Sequence, residues 1–280
     1  MNRLLLVDGS NLLFQMFFGM PARIANAQGK AIQGTLGFVG ALLKIIRKTD
    51  PTHIAVLFDG EHENSRSQIN ADYKANRADY SQISEEENPF SQLPDVYAAL
   101  DFLQIKHAET TVCETDDWVA GYALQFGKDR EIVISSFDSD FFQLITDKVS
   151  VLRYRGEKTV LCDPGFIAEK FHIQPAQYAD FKSLVGDGAD NIRGAEQVGV
   201  KTAAKLLLQY GTLENILAYA EHIEKPTVRD SILRNAEQLR NNYKIIKLSN
   251  YFPLPFAMDD LVYHLPEITT TEVLRGIGLK

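Results

Sequence analysis

The chain is poor in cysteine and has no long hydrophobic run. Its two cysteines, Cys113 and Cys162, form no CxxC pair and are too few for a disulfide framework, so we expect free thiols in a reducing cytoplasm. No stretch approaches the ~20 consecutive apolar residues of a membrane span. The apolar run at residues 4–7 is also too short for the core of a signal peptide. We therefore expect a cytoplasmic protein without membrane contacts.

Positive charge is scarce as well. Lysine and arginine number 29 against 37 acidic residues, which gives a formal charge of −8. This balance argues against a nucleic-acid partner, because phosphates are usually met by a basic surface. The argument weakens if the acids hold metal ions, since two divalent ions would bring the charge to −4. The length of 280 residues is enough for one large domain or two smaller ones.

Acidic residues follow three predicted strands. Short apolar runs typical of buried strands, separated by helical patterns, occur at residues 3–7, 53–58, 131–135 and 149–154. This alternation predicts a parallel sheet with helices on both faces, and ligands bind beyond the C-terminal strand ends of such sheets. Asp8, Asp59 and Asp138 lie there. A single Asp after a strand is usually a turn former or helix cap, but three of them favour a shared site.

A second group of acids lies close to Asp138 in the sequence. Glu114, Asp116 and Asp117 open a predicted helix, and Asp140 follows Asp138 after the third strand. Carboxylates packed this closely repel one another unless a cation lies between them. Mg²⁺ and Mn²⁺ take oxygen ligands, and the sequence has no Cys/His cluster that would suit zinc. The pattern therefore predicts a carboxylate-bound metal site.

The connection at residues 60–92 is long and polar. Arg66, Tyr73, Lys74 and Arg77 lie in its first half. Connections of this length are usually functional or mobile.

The chain turns helical from about residue 164. Helices are predicted at residues 176–185, at 201–209, after Thr212, and as one long helix at 226–248. The glycine-rich turn before the second helix is no P-loop, because it follows a helix instead of a strand. Lys201 and Lys205 lie four residues apart on one helix face, where they would contact backbone phosphates. The alternative is an ordinary solvated lysine face.

Six stretches in order carry a resemblance to a known family. They are Leu-Leu-Val-Asp-Gly-Ser at the start, Phe-Asp at 58–59, Tyr-Lys-Ala-Asn-Arg at 73–77, Glu-Thr-Asp-Asp at 114–117, Asp-Ser-Asp-Phe-Phe-Gln-Leu at 138–144, and Gly-Asp-Gly-Ala-Asp-Asn-Ile from 186 with its Gly-Val-Lys-Thr-Ala helix. On these motifs the chain resembles the 5′-nuclease (flap endonuclease) family. It is most similar to the 5′ to 3′ exonuclease domain of bacterial DNA polymerase I in a stand-alone form. The resemblance covers about residues 3–211.

The resemblance implies an α/β fold with a PIN-like, mostly parallel sheet flanked by helices. Residues 1–171 would form the metal-dependent nuclease domain, with a helical arch at about 60–92 over the single-stranded 5′ end. Residues 172–280 would form a helical DNA-binding subdomain, with a helix–three-turn–helix at about 176–210.

The resemblance also implies a two-metal phosphodiesterase with Mg²⁺, for which Mn²⁺ can substitute. The acids matching the first metal are Asp8 (through water), Asp59, Glu114, Asp116 and Asp138, and those matching the second are Asp138, Asp140, Asp187 and Asp190. Asp117 matches an acid commonly present beside these.

Other residues match positions that handle DNA. Lys74 and Arg66 match basic residues that reach the scissile phosphate, and the resemblance places Tyr73 and Arg77 on the DNA backbone. Phe14 matches an aromatic that stacks on a base, with core packing beside Phe17 and Phe18 as the alternative. The residues expected to grip the duplex are Gly194, Gly199, Lys201, Thr202 and Lys205, with a potassium ion (K⁺) among the turn carbonyls.

By this resemblance we expect a monomeric 5′ to 3′ exonuclease and flap endonuclease. Its partners would be DNA with 5′ flaps, nicks or gaps, RNA primers annealed to DNA, and a separate DNA polymerase. The alternatives are a non-catalytic DNA-structure-binding protein and a PIN-type ribonuclease. An incomplete set of metal ligands would favour the former, and a shorter chain without the glycine-rich turn the latter.

Overall fold

A six-stranded sheet lies at the centre of the molecule. The computed structural model describes residues 2–20, 22–60, 66, 69–70, 73–75, 83–84, 86–264 and 266–279. The strands of the sheet are β1 (Arg3–Asp8), β2 (His53–Phe58), β3 (Lys106–Glu109), β4 (Glu131–Ser135), β5 (Val149–Arg153) and β6 (Val160–Cys162). They lie in the order β3-β2-β1-β4-β5-β6, and all pairs are parallel except β5 with β6.

The middle of the sheet places the expected acids together. β1 pairs with β2 on one side, where Asp8 is opposite Leu57, and with β4 on the other, where Val7 is opposite Ser135. The strand order reverses at β1, and a crevice for ligands forms at such a point beyond the C-terminal strand ends. Asp8, Asp59 and Asp138 end or follow these three adjacent strands, as predicted.

Both faces of the sheet are buried under helices. The helices with described bounds are α1 (Gly9–Gly19), α2 (Gln33–Thr49), α3 (Leu93–Phe102), α4 (Thr115–Phe126), α5 (Pro164–Phe171), α6 (Tyr178–Val185), α7 (Val200–Tyr210), α8 (Leu213–Ala218), α9 (Pro226–Arg234), α10 (Ala236–Ile246) and α11 (Thr270–Gly276). Side chains alternate along a strand, so Leu4 and Leu6 of β1 pack with α4, whereas Leu5 and Val7 pack with α2. This double burial explains the continuous apolar runs of the strands. Among the described helices, none has the length and apolar character needed to cross a membrane.

The core on the α4 side continues from the sheet into the C-terminal helices, which include Phe181 of α6 and Leu206 of α7. Gln143, in a 3₁₀ turn after β4, links the two parts, because its side chain bonds the carbonyl of Ile246 and the N–H of Leu248, both at 3.0 Å. This bridge holds the C-terminal helices against the end of β4.

A tight glycine turn joins α6 to α7. It contains two short antiparallel strands, β7 (Gly186–Asp187) and β8 (Ile192–Arg193). Gly186 has φ of 84°, and a Cβ on Gly194 would lie 2.4 Å from the carbonyl oxygen of Leu184. Only glycine fits such a backbone approach.

Several local predictions need correction. The single long helix at 226–248 is wrong, since α9 ends at Arg234 and α10 begins at Ala236. Asn235 between them donates from its side chain to the carbonyl of Ser231 at 2.7 Å, a bond that competes with helix continuation. The helix expected at 176–185 begins as a 3₁₀ turn and becomes α-helical at Tyr178. Helices α1 and α11 and strands β3 and β6 were not predicted.

Candidate metal centre

Asp8 lies at the centre of the candidate site and is buried. Its carboxylate caps α1 by accepting the N–H of Asn11 at 3.0 Å, and accepts the hydroxyl of Ser136 at 2.8 Å. Burial and the neighbouring Asp59 raise the pKa of Asp8 to about 7, although both hydrogen bonds lower it. The negative charge at this position is therefore costly without a cation.

The other acids of the sheet edge face Asp116. Asp59 accepts the N–H of Thr115 at 2.9 Å, which fixes β2 to the start of α4. Asp138 accepts the N–H of Asp140 at 2.8 Å in the turn after β4. Burial, Asp138 and Asp59 together raise the pKa of Asp116 well above its usual range, with Lys74 and Arg66 acting in the opposite direction. The structure thus places Asp59, Asp116 and Asp138 near one another, whereas Glu114 pairs with basic side chains.

Basic side chains from the 60–92 connection pair with the acids that open α4. Glu114 accepts hydrogen bonds from Arg66, Lys74 and, at 3.2 Å, the hydroxyl of Tyr73. Arg66 also donates to Asp117 at 2.7 Å. Arg66, Glu114 and Asp117 are all buried, so these are pairs of largely desolvated charges.

Three further acids form a second cluster beside the first. Asp140, Asp187 and Asp190 each offer an oxygen within 4.8 Å of the others. The Lys182 ammonium lies between Asp140 and Asp187 and forms an ion pair with each. Burial alone would lower the pKa of Lys182, but these two carboxylates outweigh it and raise the pKa. Burial raises the pKa of Asp140 to about 7 in spite of Lys182.

The spacing of the carboxylate oxygens fits a hard divalent cation. Mg²⁺ and Ca²⁺ bind oxygens at about 2.0–2.6 Å, so ligands across one ion lie up to about 5 Å apart. The oxygens of Asp140, Asp187 and Asp190 lie within that span. Oxygen ligands suit Mg²⁺ or Mn²⁺, and both cysteines are buried and free.

The residues expected to grip DNA lie on the C-terminal helices. Gly194 is half-buried in the glycine turn, and Gly199 precedes α7. Lys201 and Lys205 are exposed on α7, and with Thr202 they line a groove that also includes Lys225.

Phe14 and Arg77 were also predicted to contact DNA. Phe14 is half-buried on α1 and packs edge-on against Phe90, with ring centroids 5.2 Å apart. The structure thus gives Phe14 an aromatic packing partner, which is the kind of role that the alternative interpretation assigns to it. Arg77 and much of the predicted arch lie outside the described residues.

Two family models match the chain in succession. The 5′-3′ exonuclease N-terminal resolvase-like domain matches residues 3–172, and the 5′-3′ exonuclease C-terminal SAM fold matches residues 173–269. The chain belongs to the 5′-3′ exonuclease family. The resemblance based on the six ordered motifs is confirmed.

Curated relatives of this family member are much longer proteins. The chain is 33% identical over 253 residues to the thermostable DNA polymerase I of Thermus thermophilus, and 32% identical over 273 residues to DNA polymerase I of Streptococcus pneumoniae. These alignments cover 90% and 95% of this chain but 29% and 30% of the polymerases. The chain thus spans about three tenths of the length of the curated relatives it matches.

Solved structures confirm the expected fold class. A T5 5′-exonuclease with bound divalent metal ions (zinc) is similar with a TM-score of 0.74 and 24% identity, over 89% of this chain and 91% of that one. The catalytic core of Rad2 in complex with DNA substrate is similar with a TM-score of 0.62 and 12% identity, over 99% and 86%.

Two residues of the site in this member of the 5′-3′ exonuclease family were missed by sequence reasoning. Ser136 donates its hydroxyl to Asp8 and accepts the N–H of Asp138 at 3.0 Å, so it holds two strand ends together. Lys182 had a detectable signal, because it is a charged residue between Phe181 and Leu184 in a short helix with an apolar face. The ion pair of Lys182 with Asp140 was not predictable from the local sequence pattern, because the two residues are 42 positions apart.

Proposed function

We propose that the chain is a metal-dependent 5′ to 3′ exonuclease and flap endonuclease. It would hydrolyse phosphodiester bonds near the 5′ end of branched, nicked or gapped DNA and of RNA primers annealed to DNA. The observation that carries the proposal is the set of neighbouring acids that runs from Asp8, Asp59, Asp116 and Asp138 at the sheet edge to the triad of Asp140, Asp187 and Asp190. Family membership and the DNA held by the similar Rad2 structure support the substrate class.

The acids divide between two ions, with Mg²⁺ as the natural choice and Mn²⁺ as a substitute. Asp8 (through water), Asp59, Glu114, Asp116 and Asp138 would hold the first, and Asp138, Asp140, Asp187 and Asp190 the second. Bound at these positions, the ions would lower the pKa of a water nucleophile and neutralise charge on the attacking and leaving oxygens. Asp117 would keep Arg66 close to this ligand set through its 2.7 Å hydrogen bond.

Arg66 and Lys74 would bind the scissile phosphate. Both ion-pair with Glu114 in the structure. If Glu114 turns to an ion, the two cations become available to a phosphate in the same place, where charge develops during displacement. Tyr73, which was also predicted to contact DNA, is buried and packs with Ile192 and Ile246 of the C-terminal part, so it would hold this segment in place.

The C-terminal helices would bind the duplex. In this proposal residues 1–171 are the nuclease domain with its arch at 60–92, and residues 172–280 the DNA-binding subdomain with a helix–three-turn–helix at 176–210. Lys201, Thr202 and Lys205 would contact phosphates from one face of α7, and the glycine turn would accept K⁺ at its carbonyls. Phe14 would stack on a base near the cleavage point.

The biological setting follows from the relatives. The matched polymerases contain a region like this chain within a longer protein. We propose that this nuclease region acts as a monomer and that a DNA polymerase uses its product ends. Cleavage would leave short 5′-phosphorylated fragments.

Cleavage of a 5′-flapped duplex, labelled at both ends of the flap strand, tests the activity. With Mg²⁺ we expect cutting near the flap junction, and none with a chelator or in Asp116→Ala. Asp147→Ala is the matched control, because Asp147 is exposed and precedes β5, at the sheet edge opposite the C-terminal strand ends. Binding of the duplex without cutting in Mg²⁺ or Mn²⁺ would replace this proposal by the non-catalytic DNA-binding function.

A further inference from the structure

Lys182 is a cation built into the second acidic cluster. It lies in the last turn of α6 and is only 5% exposed. Its ammonium forms ion pairs with both Asp140 and Asp187. These are two of the three acids whose oxygens lie within 4.8 Å of one another.

The backbone that carries Lys182 is firmly held. Its carbonyl accepts the N–H of Gly186 at the end of α6. The next residue, Ser183, donates its hydroxyl to Ala179 at 2.6 Å, and its carbonyl accepts the side-chain amide of Asn242 at 3.1 Å. The ammonium therefore enters the cluster from inside the fold, and it cannot leave by movement of a surface loop.

The ammonium and a divalent ion need the same carboxylate oxygens. A divalent ion held by Asp140 and Asp187 would lie about 2.0–2.6 Å from their oxygens. The Lys182 nitrogen forms ion pairs with those same two carboxylates. A divalent ion between them would therefore lie very close to a positive charge. Two cations this close repel, most strongly where water is excluded.

We propose that Lys182 is the resident counter-cation of the second metal site and competes with the divalent ion for Asp140 and Asp187. It holds the two carboxylates in place when no ion is bound. It also weakens the second ion, so that this ion binds well only at high concentration or with a phosphate beside it. The inference rests on the proposed assignment of these acids to a metal.

Mn²⁺ binding without DNA tests the inference separately from cleavage. We would measure bound and free Mn²⁺ by electron paramagnetic resonance and the heats by calorimetry. In the unaltered chain we expect a tight and a weak class of site, with the weak class absent in Asp187→Asn. In Lys182→Met, the weak class should tighten by about tenfold or more, because one positive charge close to the ion is removed.

Three controls make the result specific. Lys182→Arg keeps the charge and should keep the weak class. Lys170→Met removes a lysine from the exposed end of α5 and should change neither class. Lys182→Gln, which is also neutral, replaces Lys182→Met if that variant does not fold. Circular dichroism checks the folding of each variant.

The outcomes separate this inference from the proposed function. One outcome would overturn the role of Lys182 and leave a two-metal nuclease intact. In it, the unaltered chain has two classes of Mn²⁺ site, but the weak class in Lys182→Met or Lys182→Gln binds Mn²⁺ equally well or more weakly. No Mn²⁺ binding in the unaltered chain would overturn both.

Discussion

The two halves of the acidic site are neutralised in different ways. In the first half, Arg66 and Lys74 reach Glu114 from the 60–92 connection, 48 and 40 residues earlier in the chain. In the second half, Lys182 reaches Asp140 and Asp187 from a buried helix. In the proposed nuclease, a substrate phosphate would exchange the cations on the connection, whereas the cation on the packed helix would stay. The substrate would then control the first half, and the fold would control the second.

The largest effects are expected from two single substitutions, one that removes an acid from the first half and one that removes an acid from the second half. Asp116→Ala should lower the cleavage rate by about 10³-fold or more, since several kcal/mol of transition-state stabilisation are lost with its ion. Asp187→Ala should leave the tight Mn²⁺ class intact while also impairing cleavage. The measurement is single-turnover cleavage beside Mn²⁺ titration. Loss of both Mn²⁺ classes in Asp187→Ala would show that the halves are not independent.

Lys74→Ala tests the exchange of cations in the first half. We expect kcat to fall by about 10²-fold to 10³-fold, as for other groups that stabilise transition-state charge. The tight Mn²⁺ class should become tighter, because Glu114 loses a competing cation. Steady-state kinetics and Mn²⁺ titration measure both. Unchanged kcat would remove Lys74 from the proposed chemistry.

The metal-free protein should become less stable as the pH rises. Folded Asp8 has a pKa of about 7 against 3.8 in the unfolded chain, so the folded state holds a proton that the unfolded state releases. This contribution is full below the unfolded pKa and is lost as the pH rises through the folded pKa. Thermal unfolding in chelator should therefore give a lower Tm at about pH 7.5 than at about pH 5.5.

Two comparisons check this pH dependence. Asp8→Asn should reduce the slope, because the titrating group is gone, and added Mg²⁺ should remove most of it. A slope unchanged in Asp8→Asn would assign the pH dependence to other groups.

The smallest effect is expected on the DNA-binding face of α7. Lys205→Ala should weaken duplex binding and reduce the slope of log K against log salt by about 0.9, as for one lost phosphate contact. Lys170→Ala, on the exposed end of α5, is the matched control. Fluorescence anisotropy over a salt series measures the slope, and an equal slope in both variants would favour the solvated lysine face.

Much of the fold was predictable because it depends on local pattern. The runs that became β1, β2 and β4 are apolar on both faces, so their position and parallel arrangement followed from the sequence. Strand β3 (Lys-His-Ala-Glu) has a single apolar residue and β6 is only three residues long, so neither gave a strand pattern in the sequence. The break at Asn235 depends on a side-chain hydrogen bond that periodicity does not register.

The sequence by itself determined the family and the parallel sheet, because strand runs and ordered motifs are local features. Only the tertiary structure decided which cation meets which acid. Lys182 and Asp140 are 42 residues apart and meet because α6 docks against the turn after β4. Such a pairing depends on how helices pack in three dimensions. A buried charge is costly without an opposite charge beside it, and the packing decides which opposite charge lies there.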